Sequence, residues 1–599
     1  MNFLKASLYL GYFFLGAFLV APLLFIFLQV AGGIGEIYHL LADPFYFNLS
    51  AEAFEKAVYI DGSRLVVRGP DLGVVLNSIW VALTVAAVDT ALGFVLAYVL
   101  AKYVFRGRAA LGVLATLPLI VVPFATAYVV RKFLDPRWGT LNWVLDEVLG
   151  IPIVIEISGL AAVAFVQIVM FLPIAYLNIY AAIARVDPTL EEVANNLGAG
   201  ERRAMRDVVL PLATPGVAAS FVLVFIFSID DVAAPIIFQD DPAARKLLSY
   251  QVFSKFLDQL TGRVSPVAAF LALILLTISV VSFLAVRKYV GLRQYAMLIR
   301  QLRPRSYVPE RWVKLAIYFF VFPTVALATS PLIGAVALAF SERWTTAPFP
   351  EGLSVDKTVE RLVEIFQNPL ASRAVFNTIY YGVTATAIMV AVGLAIAVAA
   401  ARLRGPAADA LDALATMPIA IPGLVVAYAY FLTSLNLTFS LRQISPEVAE
   451  FFNPLRNPEL YLIVGYAVRK LPFVVRAIYA GMQQIHPSME EVAMNLGAGY
   501  LGVLRKILVP LLKTNAISGA LIGFVYVTSE VSLSITLGVM KGVGVDSAMP
   551  ITALMKERFE GGLYGVQEAA TLGLILVLIQ VAAIMFVTKV LKSRYGFVL

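Results

Sequence analysis

The chain has 599 residues, of which 60% are hydrophobic and only 14% charged, with a mean hydropathy of +0.85. Soluble globular chains carry roughly 25% charged residues, so this composition excludes a string of soluble domains and points to a polytopic membrane protein. With no cysteine and only His39 and His486, disulfide, iron–sulfur and thiolate–metal chemistry are excluded, and zinc or Ser–His–Asp catalysis has little to work with.

Apolar stretches of roughly 20 residues, enough to cross a bilayer, recur along the chain. The first, Leu8–Val30, follows Lys5 like a signal peptide, but it runs too long and lacks a cleavage site, so it is read as a transmembrane helix. Five more follow in the first half: Val74–Ala101, Leu111–Val130, Leu160–Ile183, Val217–Phe238 and Pro266–Val286. The second half holds Trp312–Phe340, Ile379–Ala401, Leu411–Leu432, Tyr461–Ala480, Ala516–Leu537 and Ala569–Val590.

Loop charge sets the orientation. Lys102, Arg106 and Arg108 follow the second span. The connection between halves and its flanks carry Arg287, Lys288, Arg293, Arg300, Arg303, Arg305, Arg311 and Lys314 against Glu310, and the tail carries Lys589, Lys592 and Arg594. The positive-inside bias places these segments, and both termini, in the cytoplasm. The net charge of +7 is therefore read as cytoplasmic loop charge, with no nucleic-acid partner. The first outer loop, Ala31–Gly73, has six acids against three bases.

The chain repeats itself. An offset of 300 aligns Asn77 with Asn377, Gly93 with Gly393, and Ala115-Thr116-Leu117-Pro118 with Ala415-Thr416-Met417-Pro418. After a one-residue slip, an offset of 299 aligns Pro123 with Pro422, Pro173 with Pro472 and Pro211 with Pro510. This predicts an all-α polytopic membrane protein of two tandem six-helix halves, residues 1–300 and 301–599. An even number of spans gives both halves one orientation, related by a pseudo-two-fold axis along the membrane normal.

The strongest repeat lies in loops 187–211 and 486–510, after the fourth span of each half: PTLEEVANNLGAG from Pro188 and PSMEEVAMNLGAG from Pro487. Asp187 suits a cap and Pro188 a first turn, and Glu191 and Glu192 favour the helix N-terminus. Leu190, Val193, Ala194 and Leu197 make one apolar stripe, as do Met489, Val492, Ala493 and Leu496. Gly198, Gly200, Gly497 and Gly499 stop the helices. A stripe on a cytoplasmic loop needs a partner surface, and the plainer candidates are the membrane interface and the underside of its own bundle. Lipid would favour Lys and Arg on the polar face, but Glu191, Glu192, Asn195 and Asn196 stand there.

The spacing Glu192-Val193-Ala194, Gly198, Val208-Val209-Leu210-Pro211, repeated as Glu491-Val492-Ala493, Gly497, Ile507-Leu508-Val509-Pro510, resembles the "EAA" loop of binding-protein-dependent ABC importer permeases. Val509 replaces the motif's Leu, a mild change. The resemblance, which covers nearly the whole chain, implies two type I importer transmembrane domains fused in one polypeptide. It implies that these helices are coupling helices docking on a cytoplasmic ATPase dimer, with Glu191, Glu192, Ala194, Gly198, Glu490, Glu491, Ala493 and Gly497 as coupling residues. The chain has no Gly-x-x-x-x-Gly-Lys-Ser/Thr phosphate loop, so ATP and magnesium would belong to that partner, and the chain itself would be neither an enzyme nor a cofactor binder. An extracytoplasmic substrate-binding protein is the other implied partner, with the long outer loops Ala31–Gly73 and Ser341–Arg373 available to it. The cytoplasmic membrane of a bacterium or archaeon is the implied location.

Fused halves are typical of ferric-iron and thiamine importers, which favours iron(III), with thiamine, polyamine and phosphonate as alternatives. Asp230 and Asp231 in the fifth span and Glu530 at the matching place in the eleventh suit a cation pathway, since intramembrane acids often mark one. The plainer reading is helix-end acids bonded to backbone or to an arginine. Asp89 has the apolar counterpart Met389, so no shared role is expected. Tyr128 and Tyr428 read as interfacial anchors, His39 as a surface residue and His486 as a cap variant replacing Asp187. An ion-coupled secondary transporter is the rival class, but it would not need the doubled loop. A membrane enzyme would need a cluster of His, Asp or Cys, and fused exporters usually carry their ATPase.

Overall fold

A computed structural model of the chain describes residues 2–260, 266–292, 307–561 and 565–591. The boundary at 300 and 301 and the cations Arg293, Arg300, Arg303, Arg305, Lys592 and Arg594 lie outside the described residues.

Among the described residues, ten helices are long and apolar enough to cross a membrane. The third predicted span is not one rod. It divides into Arg108–Ile120 and Pro123–Phe133, bent by 109°. Pro118 and Pro123 each lack a backbone N–H, and proline disfavours helix in the residue before it. The ninth breaks in the same place: Pro406–Thr416 and Gly423–Arg442 flank a turn at Met417–Ile419. The tenth is the helix Pro458–Gln484, whose Glu459, Arg469, Lys470 and Arg476 make it more polar than its neighbours.

Two further expectations change. The fifth span starts earlier and ends sooner, as Leu210–Asp230, followed by the short helix Ala233–Ile237. The eleventh is Val509–Thr528, then Ser532–Leu537. Each is entered through a π-helical turn, Met205–Val209 and Leu504–Leu508. The wider turn comes just before Pro211 and Pro510, where the ring would otherwise crowd the carbonyl four residues back.

The fold is not wholly helical. Val58–Asp61 pairs antiparallel with Arg64–Val67, which pairs parallel with Val154–Ile157. The hairpin turns at Gly62, whose φ of +61° suits a two-residue loop. The Asp61-Gly62 pair between β-branched runs was the available signal.

In each half the second, fourth and fifth spans pack together, and the first span crosses to the other half. Tyr12 donates to the Ala407 carbonyl at 2.6 Å and Tyr318 to the Arg106 carbonyl at 2.9 Å. This exchange brings the two broken spans to a common centre.

Candidate functional site

The two loop helices stand at the same end of the molecule's repeated halves. Asp187 caps Pro188–Asn196 by accepting from the Thr189 N–H at 2.9 Å. In the second copy His486 Nδ1 accepts from the Ser488 N–H at 3.2 Å, the cap substitution expected from the sequence. Both helices end in one motif. Gly198 and Gly497 adopt φ of +87° and +88°, and the Ala199 and Ala498 N–H groups reach back to the Ala194 and Ala493 carbonyls, a Schellman closure.

Most of the apolar stripe is bare. Leu190, Val193 and Leu197 are exposed, as are Met489, Val492 and Leu496, while Ala194 and Ala493 turn half-buried toward the bundle. The adjacent glutamates divide. Glu192 and Glu491 are exposed, whereas Glu191 and Glu490 are buried. Glu191 pairs with Lys102, and the Tyr307 hydroxyl donates to it at 3.3 Å. Glu490 pairs with Arg402 at 2.7 Å. Glu191 and Glu490, grouped in the sequence reading with the coupling residues, fasten each helix to its own bundle.

A second constellation lies between the halves. A cavity of about 370 Å³ is lined by both breaks, at Pro118–Val121 and Pro418–Ile419, and by Met170, Phe171, Arg469, Lys470 and Phe473 from the fourth and tenth spans. Ser518, Leu521, Ile522, Val525, Tyr526 and Ser529 also line it, at spacings that fall on one helix face. At one end of this face sit Asp230, Asp231 and Glu530.

The Arg469 guanidinium donates to both Asp230 of the first half and Glu530 of the second. Lys470 Nζ lies 2.6 Å from the other Glu530 oxygen, and the Gly423 N–H donates to Asp230 at 2.9 Å. Asp231 differs. It accepts from Gln167 at 3.0 Å and from the Ala233 and Ala234 N–H groups at 3.1 and 3.3 Å, capping the short helix that follows. Both plainer readings of these acids, backbone cap and arginine partner, are therefore present, and all three still face the cavity. Arg469 and Lys470 were missed because the surrounding run reads as an apolar span. Two adjacent cations in such a run were the signal.

The other sequence candidates scatter. Asp89 is buried, with no hydrogen-bond partner for either carboxylate oxygen among the described residues. Tyr428 is wholly buried against Phe256, not an interfacial anchor, because the broken ninth span carries it into the core. Tyr128 stacks on Phe559 at 5.1 Å. Among the described residues no three His, Asp or Glu side chains are grouped to hold a metal ion.

The family model for the binding-protein-dependent transport system inner membrane component matches residues 90–290 and again 389–596. The chain belongs to this family. Each matched segment of the permease contains one loop helix and, at the end of the span that follows it, cavity acids, Asp230 and Asp231 in the first and Glu530 in the second, so the duplication seen in the sequence is a duplication of the family domain. A ferric transport system permease protein of Actinobacillus pleuropneumoniae is 26% identical over 588 residues, covering 96% of this permease and 78% of the relative. A putative ferric transport permease of Haemophilus influenzae is 26% identical, covering 79% and 71%. A spermidine/putrescine transport permease of Escherichia coli is 31% identical over 212 residues, covering 35% and 70%. The permease is a multi-pass membrane protein and the permease subunit of an ABC importer.

Proposed function

We propose that this permease carries iron(III) inward across the cytoplasmic membrane of a bacterium or archaeon, driven by a separate cytoplasmic ATPase dimer that holds the ATP and magnesium. The single observation that carries the coupling half of this reading is the pair of bare apolar stripes, one per half. Exposed side chains of this size at the tip of a loop call for a partner, and two equivalent tips suit a dimer of motor subunits. Glu192, Gly198, Glu491 and Gly497 would meet that dimer, with Ala194 and Ala493 behind them. Both termini would lie on the same, cytoplasmic side. An extracytoplasmic binding protein would deliver the substrate to the opposite face.

Two observations support iron(III). The two relatives whose match covers most of this chain are named for ferric transport. The cavity cluster sets three carboxylates, Asp230, Asp231 and Glu530, against two cations, Arg469 and Lys470, an excess that favours positive cargo. A polyamine is the second reading, favoured by the spermidine/putrescine relative and by the same charge.

The test is reconstitution of the permease with its partner ATPase and binding protein. ATPase stimulation and uptake are then measured with iron(III), spermidine, thiamine and phosphonate separately. Iron(III) alone should stimulate. Replacing Glu192 and Glu491 together by alanine should abolish coupling while the permease stays folded, and normal uptake in that variant would refute the docking assignment.

A further inference from the structure

The cavity is closed at one end only by what surrounds the ionic cluster. Ser518 lies ten residues before the end of its helix at Thr528, or roughly 15 Å nearer the loop helices than the cluster. Beyond the cluster, the short helices Ala233–Ile237 and Ser532–Leu537 are buried along their whole length. The cavity between the halves therefore extends from the cluster toward the loop helices and is covered beyond Asp230 and Glu530.

We propose that Arg469 is the bolt of this closure. Its guanidinium spans the boundary between the halves, holding Asp230 of the first to Glu530 of the second, and a polyvalent cation arriving from the far side opens it by taking over the two carboxylates. This rests on the reading of the cavity as the transport path.

Three features support the assignment. The bridge is the point where a charged side chain of one half grips the broken-helix end of the other. Gly423, at the start of the helix after the ninth-span break, donates its N–H to the same Asp230, so releasing Asp230 also frees the break. The bolt is one-sided, because the register partners of Arg469 and Lys470 are Met170 and Phe171, so no second latch would have to open with it. The charge balance then selects the key. Withdrawing Arg469 leaves Asp230 without a cation and Glu530 with Lys470 alone, an uncompensated buried charge, so the carboxylates need a replacement cation. A cationic substrate supplies one and an anionic substrate does not.

The natural absence of cysteine makes the test direct. Ser518→Cys places a single, nearly isosteric thiol in the cavity. The full chain is reconstituted in vesicles and treated with a membrane-impermeant thiol reagent from either side. The thiol should label from the loop-helix side and be protected from the far side. Arg469→Met should remove that protection. Because this variant leaves Asp230 without its cation, while Lys470 still pairs with Glu530, the double variant Asp230→Asn, Arg469→Met, which keeps the Lys470–Glu530 pair, serves as a charge-balanced second probe and should also lose protection. Arg469→Lys should retain most of it.

Far-side protection unchanged in both the single and double variants would overturn the bolt while leaving the pathway intact. A thiol that labels from neither side in any variant would overturn the pathway reading itself. In vesicles that also hold the ATPase with ATP and the binding protein, iron(III) nitrilotriacetate on the far side should speed far-side labelling of the Ser518→Cys protein that keeps Arg469, whereas the sodium salt of the chelator should not. No effect of iron(III) would remove the cation key.

Discussion

Lys102 and Glu191 form an ion pair sealed from solvent, with side-chain exposures of 0% and 2%, and Arg402 and Glu490 repeat it in the second half at 13% and 6%. In both halves the pair joins the last residue of the second span to the first turn of the loop helix. A force applied to the helix is thus passed to a span that packs on the fourth and fifth, where the cavity residues lie. Glu191→Ala leaves Lys102 buried and unpaired and should cost about 3–5 kcal/mol. Glu490→Ala should cost less, because Arg402 is wetter and still donates to the Ile485 carbonyl at 2.9 Å. Chemical denaturation of the two variants in detergent checks the order, and Lys102→Met with Glu191→Gln should recover most of the loss.

Gly198 and Gly497 make a complementary case. A Cβ at either would meet nothing within 4 Å, so alanine there strains only the left-handed backbone, by about 1–2 kcal/mol. The expected result is faster hydrogen exchange at the Ala199 and Ala498 amides, which close the helix ends, and weaker ATPase coupling. The thermal midpoint of the whole permease should barely move. A global loss of stability would show that these glycines serve the core and not the loop.

Much of this architecture was legible in the sequence because its cues are local. Apolar length marks the spans, and the doubled Glu-Glu-Val-Ala segment marks the loop helices, caps included. What escaped depends on partners far along the chain. Nothing in the Glu191-Glu192 dipeptide says which carboxylate turns inward, since the answer lies with Lys102, 89 residues away. The gripping of Asp230 by Arg469 spans 239 residues and two halves. Pro118 and Pro123 were visible as repeat markers, but a 109° bend follows from what packs around them. The hairpin at Gly62 was lost because an acidic outer loop was read for its charge alone.

Asp89 supplies a prediction of opposite sign. Its carboxylate is buried in the second span with no hydrogen-bond partner among the described residues, and the register counterpart is Met389, also buried. A lone polar group in such a place costs about 1–3 kcal/mol, so Asp89→Met should raise the thermal midpoint. Transport should be unchanged, because Asp89 does not line the cavity. A loss of uptake with intact folding would give this residue a role that its surroundings do not display.

The glycines of the second spans test how evenly the duplication is packed. Small residues let membrane helices approach closely, and Gly93 and Gly393 occupy the same register. Their surroundings differ. A Cβ on Gly93 would lie 2.9 Å from the Ala175 Cβ and 3.0 Å from the Tyr176 backbone nitrogen, whereas one on Gly393 would meet Val474 Cγ1 at 3.2 Å. Backbone cannot yield, but a valine methyl can shift by a few tenths of an ångström. Gly93→Ala should therefore destabilise by about 1–3 kcal/mol, the usual cost of overpacking, by forcing the second and fourth spans apart. Gly393→Ala should cost less than its counterpart. Thermal unfolding of the two variants in one detergent measures the difference, and equal losses would mean that the first half relaxes as readily as the second.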